Sequence, residues 1–136
     1  MENKIRLDIV TPYGLVYSED VDEVTATGSE GEFGILPGHA PFITTLKIGM
    51  LAAKKGAGLT YFFVNWGYAE VDHEKIMVIA DSAEVSTHID VERAQAAKQR
   101  AEERLRKEGD VDFTRAEAAL QRALIRMQVA EKRQLK

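Results

Sequence analysis

The chain has no cysteine, so a disulfide framework, a thiol nucleophile and a thiolate metal ligand are all excluded. Histidine is scarce too: His39, His73 and His88 are scattered, and none shows the i,i+4 spacing of a helical metal pair. No serine sits in a nucleophile elbow, and the glycine-rich stretch 28–41 lacks the Gly-Lys-Ser/Thr ending of a phosphate loop. Acidic pairs such as Glu30 and Glu32 occur, but solvated surface charge accounts for them without general acid–base work. No catalytic set emerges, and a non-enzyme is expected. No window approaches the ~20 apolar residues of a transmembrane helix, and residues 1–6 lack the apolar run of a signal peptide. A cytosolic chain is therefore expected, reaching any membrane complex only through a protein partner. Charge of one sign is also lacking, since a net charge of -4 gives no support for bulk nucleic-acid binding.

What is present divides at Ser86-Thr87-His88-Ile89-Asp90-Val91-Glu92-Arg93-Ala94. Residues 1–86 hold 6 Lys+Arg against 13 Asp+Glu, a net of -7; residues 87–136 hold 12 against 9, a net of +3. The periodicity changes at the same place, from strand-like to helical. Such a joint marks a boundary between regions, here 1–86 and 87–136. A linker between permanently packed layers and a working hinge both fit it.

In the N-terminal region Ile5, Leu7 and Ile9 alternate as in a half-buried strand, and Thr11-Pro12-Tyr13-Gly14 supplies a turn. Short strands follow at 15–18 and 21–27. The stretch 28–41 surrounds Phe33, Ile35 and Leu36 with four Gly and two Pro, which predicts sharp turns that still bury an aromatic. Further segments fall at 42–46, 49–53, 59–64 and 67–71, the last two joined through Asn65-Trp66. Residues 76–80 are nearly continuously apolar, as in a strand covered on both faces. Nine or ten short strands with brief turns favour a sandwich or flattened barrel. Tyr61, Phe62, Phe63, Trp66 and Tyr68 are expected as its core and rim.

In the C-terminal region a pair of helices is expected, over 90–107 and 113–134. Asp90 can cap the first, with Thr87 as a competing start; Gly109 suits the break, and Asp112 or Thr114 begins the second. Ala94, Ala97, Ala101 and Leu105 form one stripe, and Ala116, Leu120, Ala123, Leu124, Met127 and Ala130 the other. A short loop and complementary stripes predict an antiparallel hairpin. An alanine-rich seam buries little apolar surface, so the docking of the helices is expected to be modest. Arg93 and Arg100 share one helix face, and Arg122 and Arg126 are one turn apart. Folding would gather these four guanidiniums, which either pair with acids or water or receive an anion such as a triphosphate.

Three stretches carry a family likeness: residues 28–41 (Gly28 to Pro41), Ala80-Asp81-Ser82-Ala83-Glu84, and Asp90-Val91-Glu92-Arg93-Ala94. In order, spacing and total length the chain resembles the epsilon subunit of bacterial rotary, F-type ATP synthases. The resemblance implies a β + α architecture: an N-terminal ten-stranded β-sandwich followed by a C-terminal antiparallel two-helix hairpin. It implies a non-catalytic rotor subunit on the cytoplasmic face of the cell membrane, held by the gamma subunit and resting on the loops of the c-ring. Such a subunit helps couple proton flow to ATP synthesis. Glu30, Gly31, Glu32 and His39 are the implied ring contacts. The hairpin either folds on the sandwich or extends into the alpha/beta catalytic head, where it inhibits ATP hydrolysis. Arg115, Arg122, Arg126, Lys132 and Arg133 are candidates for head contacts. No cofactor is required, but some members bind ATP as a regulatory ligand through Ile/Leu-Asp-x-x-Arg-Ala, met here by Ile89, Asp90, Arg93 and Ala94, with Glu84, Arg100, Arg122 and Arg126 as its other polar contacts. Asn65-Trp66-Gly67 departs from the family's Ser-Gly-Gly at that turn. The competing functional class is a small-molecule or adaptor module with a mobile helical lid.

Overall fold

The computed structural model describes residues 4–28, 31–107 and 112–132. Eight strands come first: β1 (Ile5–Thr11), β2 (Gly14–Val21), β3 (Glu23–Gly28), β4 (Gly31–Ile35), β5 (Phe42–Leu46), β6 (Gly49–Lys55), β7 (Gly58–Val71) and β8 (Lys75–Val85). A 3-10 turn, Ser86–His88, leads into two helices, α1 (Val91–Arg106) and α2 (Phe113–Lys132). The strands pair in the order β2-β1-β8-β7-β5-β3-β4, and β6 bridges β7 and β3, so the sheet folds back on itself as two layers. Every pairing is antiparallel except β1 with β8. The period-2 residues Ile5, Leu7 and Ile9 enter the core between the layers, where Phe62, Val64, Ile76 and Val78 meet them. This is the expected sandwich, with eight described strands in place of ten.

Some of that difference lies in β7. The segments 59–64 and 67–71 are one strand of 14 residues. Trp66 sits inside it at φ 48°, a left-handed conformation uncommon for a bulky side chain. The β7–β8 ladder drops only the Trp66–Asp81 pair, resuming at Gly67–Ala80 in unchanged register. The twist reverses the faces of both strands. Before it Phe62 and Val64 point into the sandwich; after it Ala69 and Val71 do, with the parity switched. On β8 the inward set changes likewise, from Ile76, Val78 and Ala80 to Ala83 and Val85. One strand thereby serves both layers, its first half pairing β6 and its second half β5. Residues 76–80 are not covered on both faces as expected. Ile76, Val78 and Ala80 are buried but Ile79 is 37% exposed, because no third layer of the described residues lies over that side of β8.

A second apolar core lies on the outer face of β6 and β7. Phe63, adjacent to the core residue Phe62, points away from the sandwich and is fully buried beneath α2. Ile48, Ile89, Val129 and Ala130 close around it, with Met50, Tyr61, Val91, Ala118 and Ile125 at the margin. Docking is thus more substantial than the alanine stripes suggest, because α2 has two apolar faces. Ala116 and Ala123 are buried on α2 as Ala94 and Ala101 are on α1, whereas Ile125 and Val129 reach the sheet. A single stripe drawn through Leu124 misplaces it, since Leu124 is exposed.

The turn at Trp66 also fixes its neighbour. A Cβ on Gly67 would lie 2.1 Å from the Ile79 carbonyl oxygen and 2.7 Å from the Ala80 Cα, both backbone atoms that cannot swing aside. Gly67→Ala is expected to cost about 3 kcal/mol or more of sandwich stability through overpacking. Urea denaturation followed by tryptophan fluorescence measures it, and an unchanged midpoint would refute the close approach.

Candidate functional site

The joint between the two cores is short and well determined. The Asp90 carboxylate accepts the Arg93 backbone N–H at 3.0 Å and so caps α1, while the Asp90 carbonyl accepts the N–H of Ala94 at 3.0 Å. Thr87 is instead within the 3-10 turn, which has no side-chain cap. The Asp112 carboxylate caps α2 in the same way, accepting the Arg115 N–H at 3.0 Å. Ile89 is buried in the second core and Ala94 in the helix seam. In the sequence Ile-Asp-x-x-Arg-Ala, then, Ile89 anchors, Asp90 starts the helix and Ala94 permits its close packing. The Arg93 side chain is left projecting outward.

A cleft of about 400 Å³ opens at this joint. Glu84 enters from the end of β8, His88 from the 3-10 turn, Asp90 from the cap, Arg93 and Arg100 from α1, and Arg126 from α2. Ala94 and Ala97 also line it. The α1 residues recur at i, i+4 and i+7, so one helix face presents them together. Arg126 is held from two sides. Its Nε donates to the Glu84 Oε1 at 2.5 Å, and its guanidinium carbon lies 4.4 Å from the centroid of the Phe63 ring. Delocalised guanidinium charge over an aromatic face is favourable, and the pair is more than half withdrawn from water. With Nε committed, the two terminal nitrogens of Arg126 keep their donors for a ligand. Among the described residues no carboxylate lies within ion-pair distance of Arg93 or Arg100. An anion would balance that charge.

Of the eight residues expected to contact ATP, Glu84, Asp90, Arg93, Ala94, Arg100 and Arg126 line this cleft. Ile89 does not, and Arg122 lines an adjoining one together with Arg100 and Arg126. His88 and Ala97 are additions. Ala97 follows from the helix face, but the 3-10 turn that aims His88 has no sequence signal. Apart from Arg122 and Arg126, the expected partner contacts lie elsewhere. Gly31 and Glu32 are exposed on β4, and His39 packs its ring 5.0 Å from that of Phe42. Arg115 is exposed on the first turn of α2, and the Lys132 Nζ lies 5.8 Å from the Tyr61 ring centroid. Glu30 and Arg133 lie outside the described residues, as does the expected break at Gly109. Among the described residues no group of three or more His, Cys, Asp or Glu could hold a metal ion, and no helix is long and apolar enough to cross a membrane.

Two family models divide the chain where its architecture changes. The "ATP synthase, Delta/Epsilon chain, beta-sandwich domain" matches residues 4–86, and the "ATP synthase, Delta/Epsilon chain, long alpha-helix domain" matches residues 88–131. The chain belongs to the ATP synthase delta/epsilon family. Among curated relatives, the ATP synthase epsilon chain of Geobacter sulfurreducens is 54% identical over 134 residues, covering 97% of each chain. That of Trichlorobacter lovleyi is 57% identical over the same share. The fold also recurs at low identity. A chain in the Euglena gracilis mitochondrial ATP synthase, in a structure of its OSCP/F1/c-ring, superposes with a TM-score of 0.80 at 21% identity, covering 100% of this chain and 84% of that one.

In this family member the joint depends on Phe63. Phe63→Ala is expected to remove about 3–5 kcal/mol from hairpin docking. Amide exchange in α1 and α2 should rise well before exchange at Phe62 or Val64 does. Uniform loss of protection across the sandwich would show that the second core is not a separate unit.

Proposed function

We propose that this chain is the epsilon subunit in the rotor of a bacterial F-type ATP synthase, and that its helical hairpin is an ATP-responsive regulator. The subunit catalyses nothing itself. It contributes to coupling proton flow to ATP synthesis, bound to the gamma subunit and resting on c-ring loops at the cytoplasmic face of the membrane. Family membership and the names of the relatives support the rotor role. An outward apolar face on β5, β7 and β8 supports a protein partner: Ile43, Trp66, Tyr68 and Ile79 are all exposed there, and Tyr68 stands directly opposite Ile79. Glu30, Gly31, Glu32 and His39 are the proposed ring contacts. In an extended form of the hairpin, Arg115, Arg122, Arg126, Lys132 and Arg133 would meet the alpha/beta head and inhibit ATP hydrolysis.

The observation that carries the nucleotide role is the cleft at the joint. It joins the sandwich, the 3-10 turn and both helices, and it collects Arg93, Arg100 and Arg126 beside two acids. Arginines suit the phosphates, and the carboxylates of Glu84 and Asp90 suit donors on the ribose and base. A ligand touching all these elements binds only the docked hairpin, and so shifts the population toward it by its differential affinity. The lid-module alternative requires a cavity within the sandwich, whereas the interlayer space is filled by apolar side chains.

Calorimetric titration of the full-length chain with ATP is expected to give saturable binding. Arg93→Ala and Arg126→Ala should each weaken it about tenfold or more, the size of one lost charge-assisted hydrogen bond. Absence of saturable heat would overturn the ATP reading; failure of the chain to co-purify with a gamma subunit would overturn the rotor reading.

A further inference from the structure

The cleft at the joint does not end with the residues that hold a triphosphate. A second cleft of about 280 Å³ adjoins it along the outside of the helix seam, and Ala97, Arg100 and Arg126 line both. The second adds Arg104 from α1 and Arg122 from α2, over a floor that includes Ala101 and Ala119. Arg93, Ala97, Arg100 and Arg104 follow one face of α1, and Arg122 and Arg126 are one turn apart on α2, so the arginines form two facing rows. Alanine between the rows leaves the groove open. From Arg93 to Arg104 the helix rises ~16 Å, longer than a triphosphate chain.

Charge gives the track its second argument. No acid lines the second cleft. Among the described residues Arg100, Arg104 and Arg122 have no carboxylate within ion-pair distance, and Arg126 has only Glu84. Helix-periodic pairing does not relieve this on α2, where residues 118, 119 and 125 around Arg122 are Ala118, Ala119 and Ile125. Like charges one helix turn apart repel, so among the described residues packing of the seam, and not local ion pairing, holds the rows together.

We propose that the two clefts form one binding track for linear phosphate chains longer than that of ATP, with Arg104 contacting the phosphate beyond the third. This deepens the nucleotide reading and rests on it for the placement of the nucleoside and first phosphates. A nucleoside tetraphosphate fits both ends: acids at the joint for the nucleoside, arginines along the seam for the chain. The added phosphate brings anionic oxygens to the Arg104 guanidinium, which among the described residues has no carboxylate within ion-pair distance.

Full-length protein titrated at fixed ionic strength with ATP and with adenosine tetraphosphate tests this. The tetraphosphate is expected to bind about tenfold tighter than ATP, and Arg104→Ala should bring the ratio of the two affinities to about one. Arg104→Lys should retain some of the ratio. Arg106→Ala removes the same charge from α1 outside the cleft and should keep it. Equal affinities in the parent chain, or equal loss of the ratio in the Arg104 and Arg106 variants, would overturn the track. Saturable ATP binding with a ratio of one removes the extension alone, whereas no binding of either ligand removes the nucleotide reading with it. Inorganic tetraphosphate as a third ligand separates the sources. Weaker binding than the adenosine form supports a nucleotide, and equal binding supports the arginine track while overturning the role given to Glu84 and Asp90.

Discussion

One aromatic ring ties the two halves of this molecule together. Phe63 is fully buried, yet on the opposite side of its strand from the sandwich core. Beneath it the sheet is already satisfied by Phe62 and Val64; above it α2 has no other large apolar partner on β7 that is fully covered. The same ring carries the guanidinium of Arg126, which in turn binds Glu84 at the end of β8. Apolar docking, cation–π contact and ion pair therefore stand or fall together. If the hairpin leaves, Phe63 is exposed to water, Arg126 loses both partners and the cleft at the joint ceases to exist. Conversely, any ligand spanning Glu84, Arg93 and Arg126 adds its binding energy to the docked form alone.

Much of this fold is legible in the sequence because its local signals agree. The alternation of Ile5, Leu7 and Ile9, the carboxylates of Asp90 and Asp112 at the helix starts, and the alanine stripes each specify a geometry that the structure adopts. The face reversal in β7 is not legible. Period-2 reading assumes an unbroken pleat, and the left-handed residue that breaks it is Trp66, not the glycine beside it. The split of α2 into two apolar faces is hidden for a related reason: one helical stripe describes one neighbour, and α2 has two. In the candidate cleft, Arg93, Arg100 and Arg126 follow from helix periodicity plus antiparallel folding. His88 does not, since its position depends on a three-residue 3-10 turn whose first residue, Ser86, is buried and which is followed by the buried Ile89.

The two cores differ in chemistry as well as place. The sandwich interior is built mainly from branched aliphatics and Phe62, with four alanines among them and almost no polar side chain inside. The helix seam is built from alanines, which bring the helices close but remove little surface from water. Separate cores of unequal strength imply separate melting units rather than one cooperative block. The charge division at residue 86 follows the same line, an acidic sandwich carrying a basic hairpin, so long-range attraction favours the docked arrangement at low ionic strength.

The brevity of the joint has a mechanical consequence. Between the last residue of β8 and the first of α1 there are five residues, three of them locked in the 3-10 turn. Reorientation of the hairpin is left to the extended pivots at Val85, Ile89 and Asp90. With α1 as a rigid lever ~24 Å long, a turn of ~20° about Ile89 carries its far end ~8 Å. A motion small enough to be absorbed by one or two backbone dihedrals is thus amplified into a far larger displacement at the distant end of the hairpin.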